Sequence, residues 1–160
     1  DLLDTAIRGK EIASQFFASL ASAVDDVHLR RCFRRLAQEE WDHRKILRKY
    51  RRELCGRGET TLTEEDVRTQ RARFTFLEVN DRPTLQVAVD CITEAEEESN
   101  RFFTLASGKI ENREGRIFLR LLAEEGLIHR SMVEELMEYA DSRDVRFSKN
   151  SAAIAAAAKR

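Results

Sequence analysis

The chain has 160 residues, enough for one domain with its own hydrophobic core. Hydrophobic residues make up 42% and charged residues 36%, with a single proline, which is typical of long amphipathic helices and argues against a strand-based fold. The net charge of −1 argues against nucleic-acid or anionic-membrane partners, and no apolar run approaches the roughly 20 residues that cross a bilayer. The three cysteines, Cys32, Cys55 and Cys91, are far apart and form no Cys-x-x-Cys pair, so we expect reduced thiols in a cytoplasmic protein.

Two amphipathic helices are predicted in the first third of the chain. Apolar residues recur at spacings of three and four through about residues 2–26, and Lys10 falls on the same inward stripe. A second stripe runs through about residues 27–54 and includes Glu40 and His43. Charged groups on a buried stripe need partners, so these three residues are candidates for a polar site.

A long connection follows the second helix. Residues 56–83 contain a helix-start pattern at Thr63–Asp66 and a helix breaker at Pro83. A connection of this length can run from one end of a helix bundle to the other. We therefore expect the helices on its two sides to be joined by a crossover and not by a short turn.

Two further helices are predicted after the connection. The third covers about residues 84–107, carries Glu96 on its inward stripe and is expected to end at Gly108. The fourth follows a short turn, and Gly126 and His129 interrupt its apolar inner face. The inward stripe of each predicted helix thus includes at least one charged residue or histidine.

The second and fourth helices are repeats of each other. Residues 36–43 align with residues 122–129 without a gap, both starting with Leu-Ala and ending with His. Two repeated helix hairpins joined by a long crossover predict an all-α, ferritin-like four-helix bundle over residues 1–140. Residues 141–160 are rich in alanine but lack an amphipathic stripe, so we expect an exposed tail.

In di-metal helix bundles, a Glu-x-x-His spacing directs both side chains from one helix face towards shared cations, and Glu40-x-x-His43 has that spacing. With Leu-Ala-Glu-Glu-x-x-x-His in the fourth helix and Glu-x5-Phe-Phe in the third, the sequence resembles the rubrerythrin-like branch of the ferritin-like superfamily over about residues 2–140. Members of that branch bind two irons and act on peroxide, dioxygen or iron. The resemblance implies metal ligation by Glu40, His43, Glu96 and His129, and it favours a helix-packed homodimer.

Two positions depart from the pattern of that family. Lys10 stands where the first helix should present a carboxylate, and Gly126 stands where the fourth helix should supply a second bridging glutamate. Glu125, four residues before His129 on the same helix face, is a candidate replacement ligand. The three candidate glutamates and a protonated Lys10 leave a net charge of −2, which matches one divalent cation and not two.

Two functions remain open at this point. The first is a metal-binding, rubrerythrin-like oxidoreductase acting on peroxide, dioxygen or iron, with iron as the expected cofactor and zinc or manganese as alternatives. It would need an external electron donor because the chain lacks a rubredoxin-type cysteine motif. The second is a bundle whose site has decayed to a buried Lys/Glu/His network and which serves as an interaction or scaffold domain. No catalytic residue is assigned, and retention of metal separates the two functions.

Overall fold

A computed structural model describes residues 2–54, 85–143 and 145 of the chain. These residues form four helices: α1 Leu2–Ala23, α2 Val27–Leu54, α3 Leu85–Lys109 and α4 Arg113–Ser142. α1 packs along α2, α3 packs along α4, and α2 meets α4. The predicted all-α four-helix bundle of two helix hairpins is therefore confirmed.

Side chains at the helix ends stabilise the two tight hairpin turns. Oδ1 of Asp26 accepts a hydrogen bond from the backbone N–H of Leu29 at 2.9 Å, and the Arg30 guanidinium donates to the backbone oxygen of Val24 at 3.0 Å. In the second hairpin, Oδ1 of Asn112 accepts from the backbone N–H of Gly115 at 3.0 Å. Each turn satisfies backbone groups that a helix end would leave unpaired.

Two predicted boundaries differ from the structure. α1 ends at Ala23 and not near residue 26, because Asp26 caps the following helix. Gly108 lies inside α3 and does not end it, since its backbone lacks the left-handed φ of a glycine helix terminator. The predicted connection over residues 56–83 and most of the predicted tail over residues 141–160 lie outside the described residues.

The apolar core of the described bundle has two parts, one towards each end. One part contains side chains such as Phe17, Phe33 and Val133. The other contains Leu3, Leu47, Phe103, Leu119 and others. The buried polar residues between these parts include Lys10, Glu40, His43, Glu96 and His129. The apolar parts on either side shield this polar band from water.

The membrane and cysteine predictions can be compared with the described residues. None of the helices there combines the length and apolarity that crossing a membrane requires. Cys32 and Cys91 are free thiols, and burial, followed by the nearby carboxylates of Glu94 and Asp90, raises the pKa of Cys91. Cys55 lies outside the described residues.

Candidate metal centre

Three helices bring one ligand group each to the centre of the bundle. Glu40 of α2, Glu96 of α3 and His129 of α4 are buried, and one ligand atom from each lies within 4.8 Å of the other two. Nδ1 of His129 lies 2.8 Å from Oε1 of Glu40 and 3.5 Å from Oε1 of Glu96. Two carboxylates and an imidazole suit iron, zinc or manganese, because these ions accept mixed oxygen and nitrogen ligands.

Lys10 of α1 reaches into the same cluster. Its Nζ lies 3.1 Å from Oε1 and 2.9 Å from Oε2 of Glu40, and 3.9 Å from Oε2 of Glu96. It also lies 5.7 Å from the centre of the Phe103 ring. Burial acts to lower the pKa of Lys10, but the two carboxylates outweigh burial and raise it. The cluster therefore already contains a positive charge.

The charge of Glu40 is held by its neighbours. Its side chain is fully buried, and burial by itself would raise its pKa. The Lys10 ammonium and the two imidazoles, His43 and His129, more than offset burial, so the pKa of Glu40 falls well below its usual range. Glu40 is therefore a carboxylate across the physiological pH range.

His129 is similarly coupled to the carboxylates. Burial acts to lower its pKa, but Glu40 and Glu96 act in the opposite direction and raise it to about 10. Without a metal, the charges of Lys10 and His129 thus balance those of Glu40 and Glu96. A metal ion that binds Nδ1 must displace a proton from this ring.

Each histidine is also paired with a glutamate of the other hairpin. Nε2 of His129 lies 3.2 Å from Oε2 of Glu39, and Nε2 of His43 lies 2.6 Å from Oε2 of Glu125. The two imidazole rings are stacked, with centroids 5.9 Å apart. Nδ1 of both rings faces Oε1 of Glu40, at 3.5 Å for His43 and 2.8 Å for His129. These crossed pairs fix both ring orientations, as outer carboxylates do around metal-bound histidines.

The predicted site residues thus fall into two groups, an inner cluster and an outer pair. Glu40, Glu96 and His129 form the inner cluster, whereas Glu125 contacts His43 with 45% of its side chain exposed. Metal ligation by all five residues, Glu40, His43, Glu96, Glu125 and His129, stays a prediction. The sequence reasoning missed Glu39, although the alignment of Glu39 with Glu125 in the internal repeat was a usable signal.

Several buried polar atoms of the inner cluster and of the neighbouring His43 have no hydrogen bond within the described residues. They are Oε2 of Glu40, Nδ1 of His43, Oε2 of Glu96 and Nδ1 of His129. Oε2 of Glu40 contacts the Lys10 ammonium, and Nδ1 of His129 is close to Glu40 but poorly directed for a hydrogen bond. A buried polar atom without a hydrogen bond costs about 1–3 kcal/mol. Oε2 of Glu40 and Nδ1 of His129 have charged partners within 3 Å, so the acceptor of the inner cluster best placed for a further cation is Oε2 of Glu96, 3.9 Å from the Lys10 ammonium.

Gly126 lies where the fourth helix approaches Glu96. A Cβ atom at this position would lie 3.2 Å from the backbone oxygen of Glu96 and 3.2 Å from its Oε2. Nearby, the Asn100 side chain donates a hydrogen bond to the backbone oxygen of Ala123 at 2.8 Å. The missing side chain therefore leaves room for the Glu96 carboxylate and for close packing of α3 on α4.

Glu11, the residue next to Lys10, takes part in a separate interaction. Its Oε1 lies 3.2 Å from Nη2 of Arg44, which is buried and stacks 4.4 Å above the Trp41 ring. This pair joins α1 to α2 beside the cluster. The nearest carboxylate of α1 therefore contacts an arginine and not the candidate metal site.

The fold and family are established by similarity to known proteins. The structure is similar to that of a hypothetical protein from Pyrococcus furiosus, with a TM-score of 0.62, 22% identity, and coverage of 86% of this chain and 87% of that chain. At this identity the likeness shows the fold alone. No functionally curated protein has significant similarity to the sequence. The family model for rubrerythrin matches residues 1–137, and the chain therefore belongs to the rubrerythrin family, within the ferritin-like superfamily.

Proposed function

We propose that the protein binds a transition-metal ion, iron before zinc or manganese, through Glu40, Glu96 and His129, and that it is an oxidoreductase acting on peroxide, dioxygen or iron. The observation that carries the proposal is the buried cluster of three ligand groups within 4.8 Å of one another. Membership of the rubrerythrin family supports iron as the first choice. Oε2 of Glu96, which has no hydrogen bond within the described residues, supports a cation in general.

Each residue has a defined part in this proposal. Glu40 and Glu96 would each offer a carboxylate oxygen, and His129 would offer Nδ1. Glu39, on Nε2 of His129, would hold the ring in the orientation that binds the ion. Bound iron would supply the one-electron chemistry that reactions of peroxide or dioxygen require. The apolar parts of the core on either side would keep bulk water away.

The proposal extends to partners and compartment. His43 and Glu125 are proposed as additional ligands that reach the ion only after a side-chain rearrangement, since they now contact each other. An external electron donor is proposed because the sequence has no Cys-x-x-Cys pair for an iron centre of the rubredoxin type. A homodimer is proposed as the assembly, and light scattering measures it directly. The free thiols of Cys32 and Cys91 support a reducing compartment such as the cytoplasm.

A second candidate function has its own support. The inner cluster is already balanced in charge without a metal, because two cationic side chains face two carboxylates. A paired buried network of this kind does not require a cation to be stable. The alternative is therefore a bundle that no longer uses a metal and serves as an interaction or scaffold domain.

Metal content separates the two candidates. The protein would be purified, loaded without oxygen with excess iron(II), desalted and analysed for metal per chain. The histidine outside the cluster provides a matched control, since His28 is exposed and contacts Tyr139 at the end of the bundle. We expect His28→Ala to retain iron and His129→Ala to lose it. We also expect a chelator to lower the melting temperature of the wild type and of His28→Ala but not of His129→Ala, because a ligand that binds only the folded state stabilises it.

Absence of bound metal in the wild type and in both variants would favour the scaffold function. If metal binds but loaded protein consumes neither peroxide nor dioxygen and does not oxidise iron(II), the metal-binding part stands and the oxidoreductase part fails. His129→Ala provides the background rate for each of those assays.

A further inference from the structure

One cation is already built into the candidate metal centre. The Lys10 ammonium is buried, contacts both oxygens of Glu40 at 3.1 and 2.9 Å, and lies 3.9 Å from Glu96. It comes from α1, which contributes none of the three candidate ligand groups of the cluster. Both glutamates of the inner cluster therefore already share a positive charge.

The charge of the inner cluster limits how many ions it accepts. Glu40, Glu96 and Lys10 together carry −1, so one divalent ion beside a neutral His129 gives +1, whereas two divalent ions give +3. An uncompensated buried charge costs several kcal/mol. The carboxylates of Glu39 and Glu125 offset little of it, because 33% and 45% of their side chains are exposed and water screens them.

The contacts of Glu40 lead to the same limit. A carboxylate that bridges two metal ions must offer one oxygen to each. In this structure, both oxygens of Glu40 lie within contact distance of the Lys10 ammonium. Once the first ion binds one of these oxygens, the ammonium keeps the other, which is the oxygen that a second ion would need.

We infer that the Lys10 ammonium takes the place of a second metal ion, so that the site binds one divalent ion per chain at Glu40, Glu96 and His129. This inference rests on the proposed metal-binding function. Lys10 is then the residue that determines how many ions the site binds, and the centre is mononuclear.

The packing around Gly126 of α4 supports the same conclusion. Any side chain at position 126 would begin 3.2 Å from the Glu96 carboxylate, which occupies the adjacent space. A carboxylate on α4 at this position would require Glu96 to move. As the helices are packed, α4 therefore has no room at position 126 for a second carboxylate beside that of Glu96.

The test counts ions in three matched proteins, the wild type, Lys10→Glu and Lys10→Met, each loaded without oxygen with excess manganese(II) and desalted. We expect one ion per chain in the wild type and in Lys10→Met. In Lys10→Glu we expect an increase towards two, because the new carboxylate both removes the ammonium and adds a ligand. Electron paramagnetic resonance of manganese(II) then distinguishes an isolated ion from an exchange-coupled pair. His129→Ala provides the baseline.

Lys10→Met supplies a second readout that does not depend on whether Lys10→Glu folds. Methionine has a similar length but no charge, so it removes the repulsion between the ammonium and the ion. We expect the dissociation constant for manganese(II) to fall by about tenfold or more. Circular dichroism verifies that each variant is helical.

The outcomes separate the inference from the function on which it rests. Two ions per chain in the wild type would overturn the inference and leave metal binding intact. A folded Lys10→Glu with unchanged stoichiometry, or a folded Lys10→Met with unchanged or weaker affinity, would overturn the role of Lys10. No bound ion in the wild type, as in His129→Ala, would instead refute the proposed function itself.

Discussion

The two helix hairpins are related by an internal repeat, yet they contribute different charges to the centre. In the α1–α2 hairpin, Lys10 occupies the position that corresponds to Glu96 of the α3–α4 hairpin. In the α3–α4 hairpin, Gly126 occupies the position that corresponds to Glu40. Each hairpin thus retains one buried carboxylate, and the two carboxylates lie on different helices of the repeat. A symmetric scaffold therefore carries an asymmetric site with one built-in cation.

The outer groups retain the symmetry that the inner groups lack. Glu39 contacts His129 across the bundle, and its repeat equivalent Glu125 contacts His43. Because each pair joins α2 to α4, the two hairpins are tied together by the same interaction used twice. The outer pairs therefore orient the two rings in the same way, whereas the inner charges differ between the hairpins.

The largest expected effect concerns the inner carboxylate of the first hairpin. Glu40→Gln leaves Lys10 and His129 buried without the charge that faces both of them. Removing one partner of a buried charged network typically costs about 3–5 kcal/mol. We expect the free energy of unfolding of the metal-free protein to fall by about that amount in urea titrations. The matched control is Glu39→Gln, whose partly exposed pair should cost about 1 kcal/mol or less. Equal losses of unfolding free energy in Glu40→Gln and Glu39→Gln would show that the buried inner network stabilises the protein no more than the partly exposed outer pair does.

Metal affinity should depend strongly on pH through His129. The pKa of this residue is raised to about 10, so below that pH the ring carries a proton that the metal must displace. Affinity should therefore rise with pH, by about tenfold per pH unit, or about a hundredfold between about pH 6 and pH 8. Competition against a chelator of known pH dependence measures this. A flat profile would mean that the ion does not bind the ring.

A smaller effect is expected from the glycine of the second hairpin. Gly126→Ala places a Cβ atom 3.2 Å from both the backbone oxygen and the carboxylate of Glu96. Overpacking of this kind costs about 1–3 kcal/mol. Gly108→Ala is the matched control in α3, because a Cβ atom there meets nothing within 4 Å and alanine favours a helix by about 0.5–1 kcal/mol. Urea titrations should show opposite signs for the two substitutions, and stabilisation by both would contradict the close approach at Gly126.

The smallest expected effect distinguishes the two crossed pairs. Glu39→Ala removes the outer partner of His129, the ring proposed to bind the ion, and should weaken metal binding by about tenfold. Glu125→Ala removes the partner of His43 and should have a smaller effect, because Nδ1 of His43 lies farther from Glu40. Glu39→Gln should recover part of the affinity through its amide oxygen. A greater loss in Glu125→Ala would indicate that the ion lies nearer His43.

Much of the architecture follows from periodicity within each helix. The spacing of apolar residues placed Lys10, Glu40, His43, Glu96 and His129 on inward stripes, and all five side chains are buried. The repeat and the Glu-x-x-His spacing led to the rubrerythrin family, which the match over residues 1–137 confirms. These features are local, because the helical period alone determines which face of a helix a residue occupies.

The partners of those side chains were decided by the tertiary structure. Glu125 lies on the face expected for a ligand, yet it contacts His43 of another helix, while Glu39 contacts His129. The role of Gly126 in making room for Glu96 likewise depends on how closely α3 and α4 approach. Periodicity determines the direction of a side chain within its own helix. Distances between helices depend on packing and rotamers across the core, which no pattern within a single helix contains.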